Sequence, residues 1–93
     1  MTDTERYKLT KEELSKLTNE QICEVYEILD GISLPYMGRI EFPVTKYETF
    51  FNQTLGLESR IMLPIFVKNL KSTVTEELAS RLMIMVKSKR KAS

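Results

Sequence analysis

The stretch "RIMLPIFV", residues 60–67, decides which fold class the chain can adopt, because residues 61–67 form its longest apolar run. Pro64 stands at the centre of that run. In a strand, a proline removes a ladder hydrogen-bond donor and confines the segment to a sheet edge or a bulge. A helix that starts near Glu58 would be kinked at Pro64, whereas a start near Leu63 puts the proline at the first helical position, where it is tolerated. We favour such a kinked or late-starting helix and keep the strand as the alternative.

A helix through this stretch would have an apolar face too wide for a surface helix. The residues on that face are Met62, Leu63, Phe66, Val67 and Leu70. Arg60, Lys68 and Lys71 would gather on the opposite edge. Because such a helix needs packing on most sides, we expect it to be the central one.

Helix-start signals surround the stretch. In a capping box, a Thr side chain accepts a hydrogen bond from the third helical N–H, and a Glu or Gln at that position returns one. Four pairs have this spacing: Thr10 with Glu13, Thr18 with Gln21, Thr45 with Glu48, and Thr73 with Glu76. Helical periodicity follows each of the four pairs, and the stretch before Thr18 is predicted to be a short helical entry, with Leu14 and Leu17 on its apolar side.

The pattern fails between Gly31 and Pro43, where two prolines, a glycine and a brief alternation indicate a loop. The sequence therefore predicts an all-α protein, a compact bundle of four to five short helices with one short extended segment near residues 37–42. We expect a single domain, residues 1–93, with a flexible N-terminus over 1–8 and a basic tail over 87–93.

Composition weighs against catalysis. The chain has no histidine, one cysteine and three scattered glycines, so the commonest acid–base group and a phosphate-binding loop are both missing. We interpret Cys23 as a packed core thiol, since no basic residue that could activate it is near in sequence. We therefore expect no enzymatic activity, no cofactor, no metal site and no small-molecule substrate. A polar N-terminus and the short apolar runs predict an intracellular protein that does not bind a membrane.

Residues 48–67, "ETFFNQTLGLESRIMLPIFV", weakly resemble a helix-turn-helix unit. The turn "TLGLES" and the apolar spacing are typical of a bihelical unit, but Asn52 stands where a small residue usually lets the two helices close. The second helix is apolar where base contacts need Arg, Asn or Gln. The favoured interpretation is a packing element with no role in DNA binding.

Charge is divided unevenly along the chain. Residues 1–46 have nine acidic and six basic side chains, net −3, and residues 47–93 have four acidic and eight basic, net +4. This asymmetry is compatible with contacts between copies or with an acidic partner. The predicted contacts to phosphates or to an acidic surface are Arg60, Lys68, Lys71, Lys87, Lys89, Arg90 and Lys91.

The last helix offers the predicted contact surface. Ile84 points to its otherwise polar side, and with Met83 and Met85 it makes one turn apolar nearly all round. We expect a non-enzymatic protein-binding or regulatory module that self-associates or binds another protein. Its predicted interface is Leu78, Leu82, Met83, Ile84 and Met85. The alternative is a small nucleic-acid-binding regulator that uses the basic helix and tail.

Overall fold

Four helices and two short strands make up the described part of the chain. A computed structural model describes residues 2–35, 37–56 and 60–92, with 91 and 92 as backbone only. The elements in chain order are α1 (Asp3–Ser15), α2 (Asn19–Asp30), β1 (Ile40–Glu41), α3 (Glu48–Leu55), β2 (Ile61–Met62) and α4 (Pro64–Ala92). The prediction of a small, mostly helical fold is confirmed.

Residues 60–67 contain a short strand followed by the start of a helix, so both predicted alternatives, strand and helix, occur in succession. Ile61 and Met62 form strand β2, which pairs antiparallel with β1, so that Ile40 faces Met62. Pro64 then occupies the first position of α4, where its missing N–H leaves no helical hydrogen bond unmade. The late-starting helix is therefore correct, and the extended segment near residues 37–42 has its partner strand in residues 61–62.

Helix α4 continues without a break for 29 residues, where the sequence predicted two helices meeting near Thr73. Thr73 does not cap a helix: its hydroxyl donates to the carbonyl of Asn69 one turn back, 3.1 Å away. Thr10 behaves alike inside α1, donating to the carbonyl of Arg6 at 2.8 Å. Both capping predictions are wrong because a Thr inside a helix satisfies its hydroxyl on the preceding turn.

The capping box of Thr18 and Gln21 is confirmed. The Gln21 N–H donates to the Thr18 hydroxyl at 3.1 Å, and the Thr18 N–H donates to the Gln21 side chain at 2.8 Å. At α3 only half of the predicted arrangement forms, since Tyr47 is the residue at the cap. Glu48 still accepts from the Thr45 N–H at 3.2 Å.

Residues 3–8, predicted to be flexible, are the first two turns of α1. Thr2 caps this helix by accepting from the Glu5 N–H at 3.2 Å. Arg6 ties α1 to α3 by donating to the Thr54 carbonyl at 3.1 Å, and its guanidinium lies 5.6 Å from the centre of the Phe66 ring. Only the end of this helix was predicted, as a short helical entry before Thr18, because the first turns of α1 have almost no apolar periodicity.

The core lies where α1, α2 and α3 meet the first half of α4. Phe51 is fully buried and packs edge-to-face against Phe42 at 4.7 Å and Phe50 at 5.3 Å between ring centroids. The remaining buried apolar residues are Leu14, Ile22, Val25, Leu29, Leu55, Val67, Leu70 and Val74. From α4 only Val67, Leu70 and Val74 belong to the buried set, so the helix is central over its first three turns alone. The sequence predicts a central helix around Ile65, but the side chain of Ile65 is 50% exposed.

Between α3 and α4 the chain does not make a bihelical turn. Gly56 ends α3 in the left-handed region, with φ of 65°, and β2 intervenes before α4 begins. A glycine tolerates that conformation at no steric cost. The helix-turn-helix arrangement considered for residues 48–67 is therefore absent, because part of the proposed second helix is a strand.

Replacing Leu29 by Ala should lower the free energy of unfolding by about 2–5 kcal/mol, since its side chain is fully buried against the core. Leu82→Ala is the matched control in an exposed helical position and should change it by less than about 0.5 kcal/mol. Urea denaturation of dilute protein measures both. Equal losses for the two variants would contradict the described limits of the core.

Thr18→Ala should cost about 1 kcal/mol, because it removes the acceptor that caps α2. Thr73→Ala has the same sequence motif but lies inside α4, where alanine is the better helix former. We expect its unfolding free energy to stay within about 0.5 kcal/mol of the original, measured by the same denaturation. A loss at Thr73 as large as at Thr18 would contradict the continuous helix.

Candidate functional site

Arg81 marks the level at which α4 leaves the body of the protein. Its guanidinium donates to the Leu14 carbonyl at 3.1 Å, to Asn19 at 2.8 Å and to Glu77 at 3.1 Å. It therefore joins the end of α1, the start of α2 and its own helix. Among the described residues, no hydrogen bond or ion pair joins residues 82–89 of α4 to α1, α2 or α3.

The segment of α4 over residues 82–92, called here the projecting segment, extends away from the body. All side chains from 82 to 90 are exposed. Five consecutive apolar residues lie there, with exposed fractions of 38–64%. They are Leu82, Met83, Ile84, Met85 and Val86. A helix turns about 100° per residue, so five in succession cover its whole circumference.

Four of the five predicted interface residues lie together on this segment. Leu78 does not: it is half-buried and packs against the core. Val86 adjoins the other four and was not predicted, although its position next to Met85 was a sufficient signal. The N-terminal residues do not cover this surface, since α1 ends beside Arg81.

The predicted basic contacts are divided between two places. Lys87, Lys89 and Arg90 are exposed on the projecting segment, whereas the side chain of Lys91 lies outside the described residues. Arg60, Lys68 and Lys71 lie on the other half of the molecule. Arg60 donates to Glu48 at 2.8 Å, and Lys71 donates to Asp30 at 2.7 Å.

Ion pairing changes the acid–base properties of these groups. The Arg60 guanidinium, followed by the hydrogen bond from the Thr45 N–H, lowers the pKa of Glu48 from its ordinary value. The hydrogen bond to Asp30 raises the pKa of Lys71. Both bases are thus held by partners of their own chain, which makes them poorer candidates for binding phosphates than the projecting lysines.

A shallow groove lies at the opposite end of α4, and we call it the lysine groove. It is lined by Leu34, Pro35, Pro64, Ile65, Lys68, Lys71, Ser72 and Thr75. The groove has an apolar floor and two lysines on its wall, so it presents positive charge to any occupant.

A second cleft lies between α1 and α4, with Thr54 and Leu55 of α3 at its base. Its polar groups bond to one another: the Tyr7 hydroxyl donates to Glu76 at 2.9 Å, and Arg6 donates to the Thr54 carbonyl. These hydrogen bonds join α1 to α3 and α4, so the polar groups of the cleft are already engaged in structural contacts.

Two exposed acidic residues lie within two positions in sequence of Leu14 and Asn19, the residues of α1 and α2 that Arg81 contacts. They are Glu12 on α1 and Glu20 on α2. Both are exposed and form no ion pair with the described residues. The C-terminus of α1 has two cations beside it, since Lys16 is its C-cap residue and Arg81 donates to the Leu14 carbonyl.

Cys23 is exposed, not buried as predicted. The reason is its position on α2: Ile22, Val25 and Leu29 face the core, and Cys23 lies outside that stripe. Within the described ranges, no three Cys, Asp or Glu side chains are grouped as metal ligands.

Among the helices described here, none is long and apolar enough to cross a membrane. Comparison of the chain with protein-family models, curated proteins and solved structures finds no match. The function is therefore argued from the chain's own geometry.

Acid should destabilise the protein through Glu48. Its folded-state pKa lies below the ordinary 4.5, so the Arg60 pair contributes stability above that pH and loses it as the pH falls further. Glu48→Gln should therefore flatten the decline of the melting temperature below pH 4.5. Met37→Gln, at a position whose side chain is 79% exposed and has no titratable group, is the control and should leave the decline unchanged. Thermal melts between pH 7 and 3 check this, and identical profiles for the two variants would contradict it.

Proposed function

We propose that the protein is a non-enzymatic binding module that self-associates through its projecting segment. The observation that carries this proposal is the run of five exposed apolar residues, 82–86, on a helix that has already left the body. Monomeric soluble proteins rarely expose a contiguous apolar surface without using it for an interaction. Methionines at two of the five positions suit a surface that adapts to a partner.

The expected affinity is modest. Full burial of a Leu, Ile or Met side chain is worth about 1.5–3 kcal/mol, but association costs at least about 4 kcal/mol in lost freedom. A pair of short helices also covers less than the roughly 800 Å² per partner of a standard interface. We therefore expect a reversible dimer whose population rises with concentration, and a regulatory role suits such an equilibrium.

A nucleic-acid-binding regulator is the second candidate. Lys87, Lys89 and Arg90 are exposed on the projecting segment, where phosphates can reach them. Against this proposal, Arg60 and Lys71 are engaged in ion pairs, and the tail has no aromatic side chain for base stacking. Self-association is favoured because it uses the apolar run, which phosphate binding leaves exposed.

Ile84→Glu should weaken the dimer at least about tenfold, because it places a carboxylate at the centre of the apolar run. Met37→Glu is the control: its exposed fraction is 79%, and it lies in the loop before β1. Sedimentation velocity over a range of concentrations measures both. A chain that remains strictly monomeric at high concentration would overturn self-association.

The nucleic-acid alternative makes a separate prediction. A chain ending after Val86 should lose affinity for DNA or RNA at low salt, while the full chain loses it as salt is added. Electrophoretic mobility shift with a mixed-sequence probe measures this. Equally poor binding by both chains at low salt would exclude it.

A further inference from the structure

We propose that the lysine groove is a second binding surface, whose partner is an amphipathic helix of another protein with acidic residues beside its apolar face. The groove lies at the start of α4, whereas the projecting segment lies at its end. Between Ile65 and Ile84 the helix rises about 28 Å. The inference therefore goes beyond self-association, since the two surfaces are far enough apart to be occupied at the same time.

The floor of the lysine groove has apolar side chains in contact with solvent. Leu34, from the loop after α2, is 36% exposed, and Ile65 of α4 is half-exposed. Pro35 and Pro64 line the groove beside them. Removing such side chains from water is favourable in proportion to the apolar area that is covered. The groove therefore favours an occupant that contributes apolar side chains of its own.

The charge of the groove defines the other half of the occupant's chemistry. Lys68 is exposed on the wall and forms no ion pair or hydrogen bond with the described residues. Lys71 beside it is held by Asp30 at 2.7 Å and lies 5.6 Å from the centre of the Tyr26 ring. No acidic residue is present among the described residues that line the groove or in the first turn of α4. A carboxylate of the occupant would therefore be attracted to Lys68.

The chain itself offers no segment with this chemistry. The projecting segment is apolar but ends in Lys87 and Lys89, and no acidic residue follows Glu77 in the sequence. Its insertion into the groove would bring these lysines beside Lys68, and like charges repel. Helix α2 has an acidic outer face, but its apolar face is buried in its own core. The occupant is therefore a different protein.

A nucleic acid matches only part of the groove. Its phosphates would pair with Lys68 but would leave Leu34 and Ile65 in water. An acidic amphipathic partner satisfies both the cation and the apolar floor, and for that reason it is the occupant we propose.

The walls of the groove favour a helix over an extended peptide. A peptide that binds as an added strand needs backbone N–H and C=O groups to pair with. Pro35 and Pro64 have no N–H, and the α4 wall uses its backbone in its own helical hydrogen bonds. Along α4 the groove extends from Pro64 to Thr75, about 17 Å, which is the length of about three helical turns.

The test begins with a phage-displayed library of random 14-residue peptides, selected on the full chain at low salt. We expect the enriched peptides to have net negative charge and apolar residues at helical spacing. One of them, labelled with fluorescein, is then titrated with the protein and followed by fluorescence anisotropy. Failure to enrich any peptide, or enrichment of peptides without an acidic excess, would overturn the proposal.

Substitutions locate the peptide on the protein. Lys68→Glu should raise the peptide's dissociation constant at least about fivefold at low salt, because an exposed attraction becomes a repulsion. Ile65→Ser should weaken binding by a similar factor through loss of the apolar floor. Lys8→Glu is the control: it makes the same change of charge at an exposed position of α1 that does not line the groove, and it should leave the constant within twofold. Urea denaturation checks that all three variants fold. Equal constants for Lys68→Glu and Lys8→Glu would refute the site.

Competition distinguishes the proposed occupant from the others. Displacement of the peptide by a synthetic peptide of residues 78–92 would identify a second copy as the occupant and overturn the proposal. Displacement by duplex DNA or by vesicles of anionic lipid would overturn it as well.

One variant separates this proposal from self-association. Ile84→Glu should bind the acidic peptide with unchanged affinity, because Ile84 lies far from the groove. Loss of peptide binding in that variant would place the peptide on the projecting segment and overturn the proposal. A monomeric chain that binds the peptide through Lys68 would refute self-association alone, and a dimer that binds no peptide would refute the groove alone.

Discussion

The dimension on which the rest of the structure depends is the length of α4 relative to the body that packs against it. At about 1.5 Å per residue, its 29 residues span about 43 Å. The molecule measures 51 × 26 × 25 Å, and α4 is much longer than either of the two shorter dimensions. The other three helices therefore cannot cover it along its whole length. The first three turns of α4 complete the core through Val67, Leu70 and Val74, whereas the described side chains beyond Arg81, residues 82–90, are all exposed.

Charged side chains follow the same division. Over the packed half of α4 and its surroundings, four cations are paired within the chain: Lys71 with Asp30, Lys11 and Arg81 with Glu77, and Arg60 with Glu48. Beyond Arg81, Lys87 and Lys89 have no such partner among the described residues, and neither have Glu12 and Glu20. The charged residues of the two halves of the sequence thus fall into two groups. One group forms ion pairs that join the helices, and the other is exposed to solvent.

How much could be predicted from the sequence depended on whether the signal was local. The Thr18–Gln21 cap, the start of α4 at Pro64 and the exposed apolar turn at Ile84 all follow from residues within a few positions of each other. The errors have tertiary causes. Thr73 has the motif of a cap, but α4 continues through it because Val74 must stay on the buried face with Leu70. Helix α1 has little apolar periodicity and is held by Arg6, Tyr7 and Lys11, whose partners are 48 to 69 residues away.

The continuity of α4 through Arg81 also has an entropic consequence. A separate peptide of eleven residues, the length of the projecting segment, is too short to hold a helix in water, because the first turn must be nucleated at a cost that few later hydrogen bonds offset. Here nucleation takes place in the packed half, and each further residue only propagates a helix that already exists. The surface at 82–86 is thus ordered before any partner arrives, so that a large part of the usual cost of ordering a binding segment falls on folding instead of on binding.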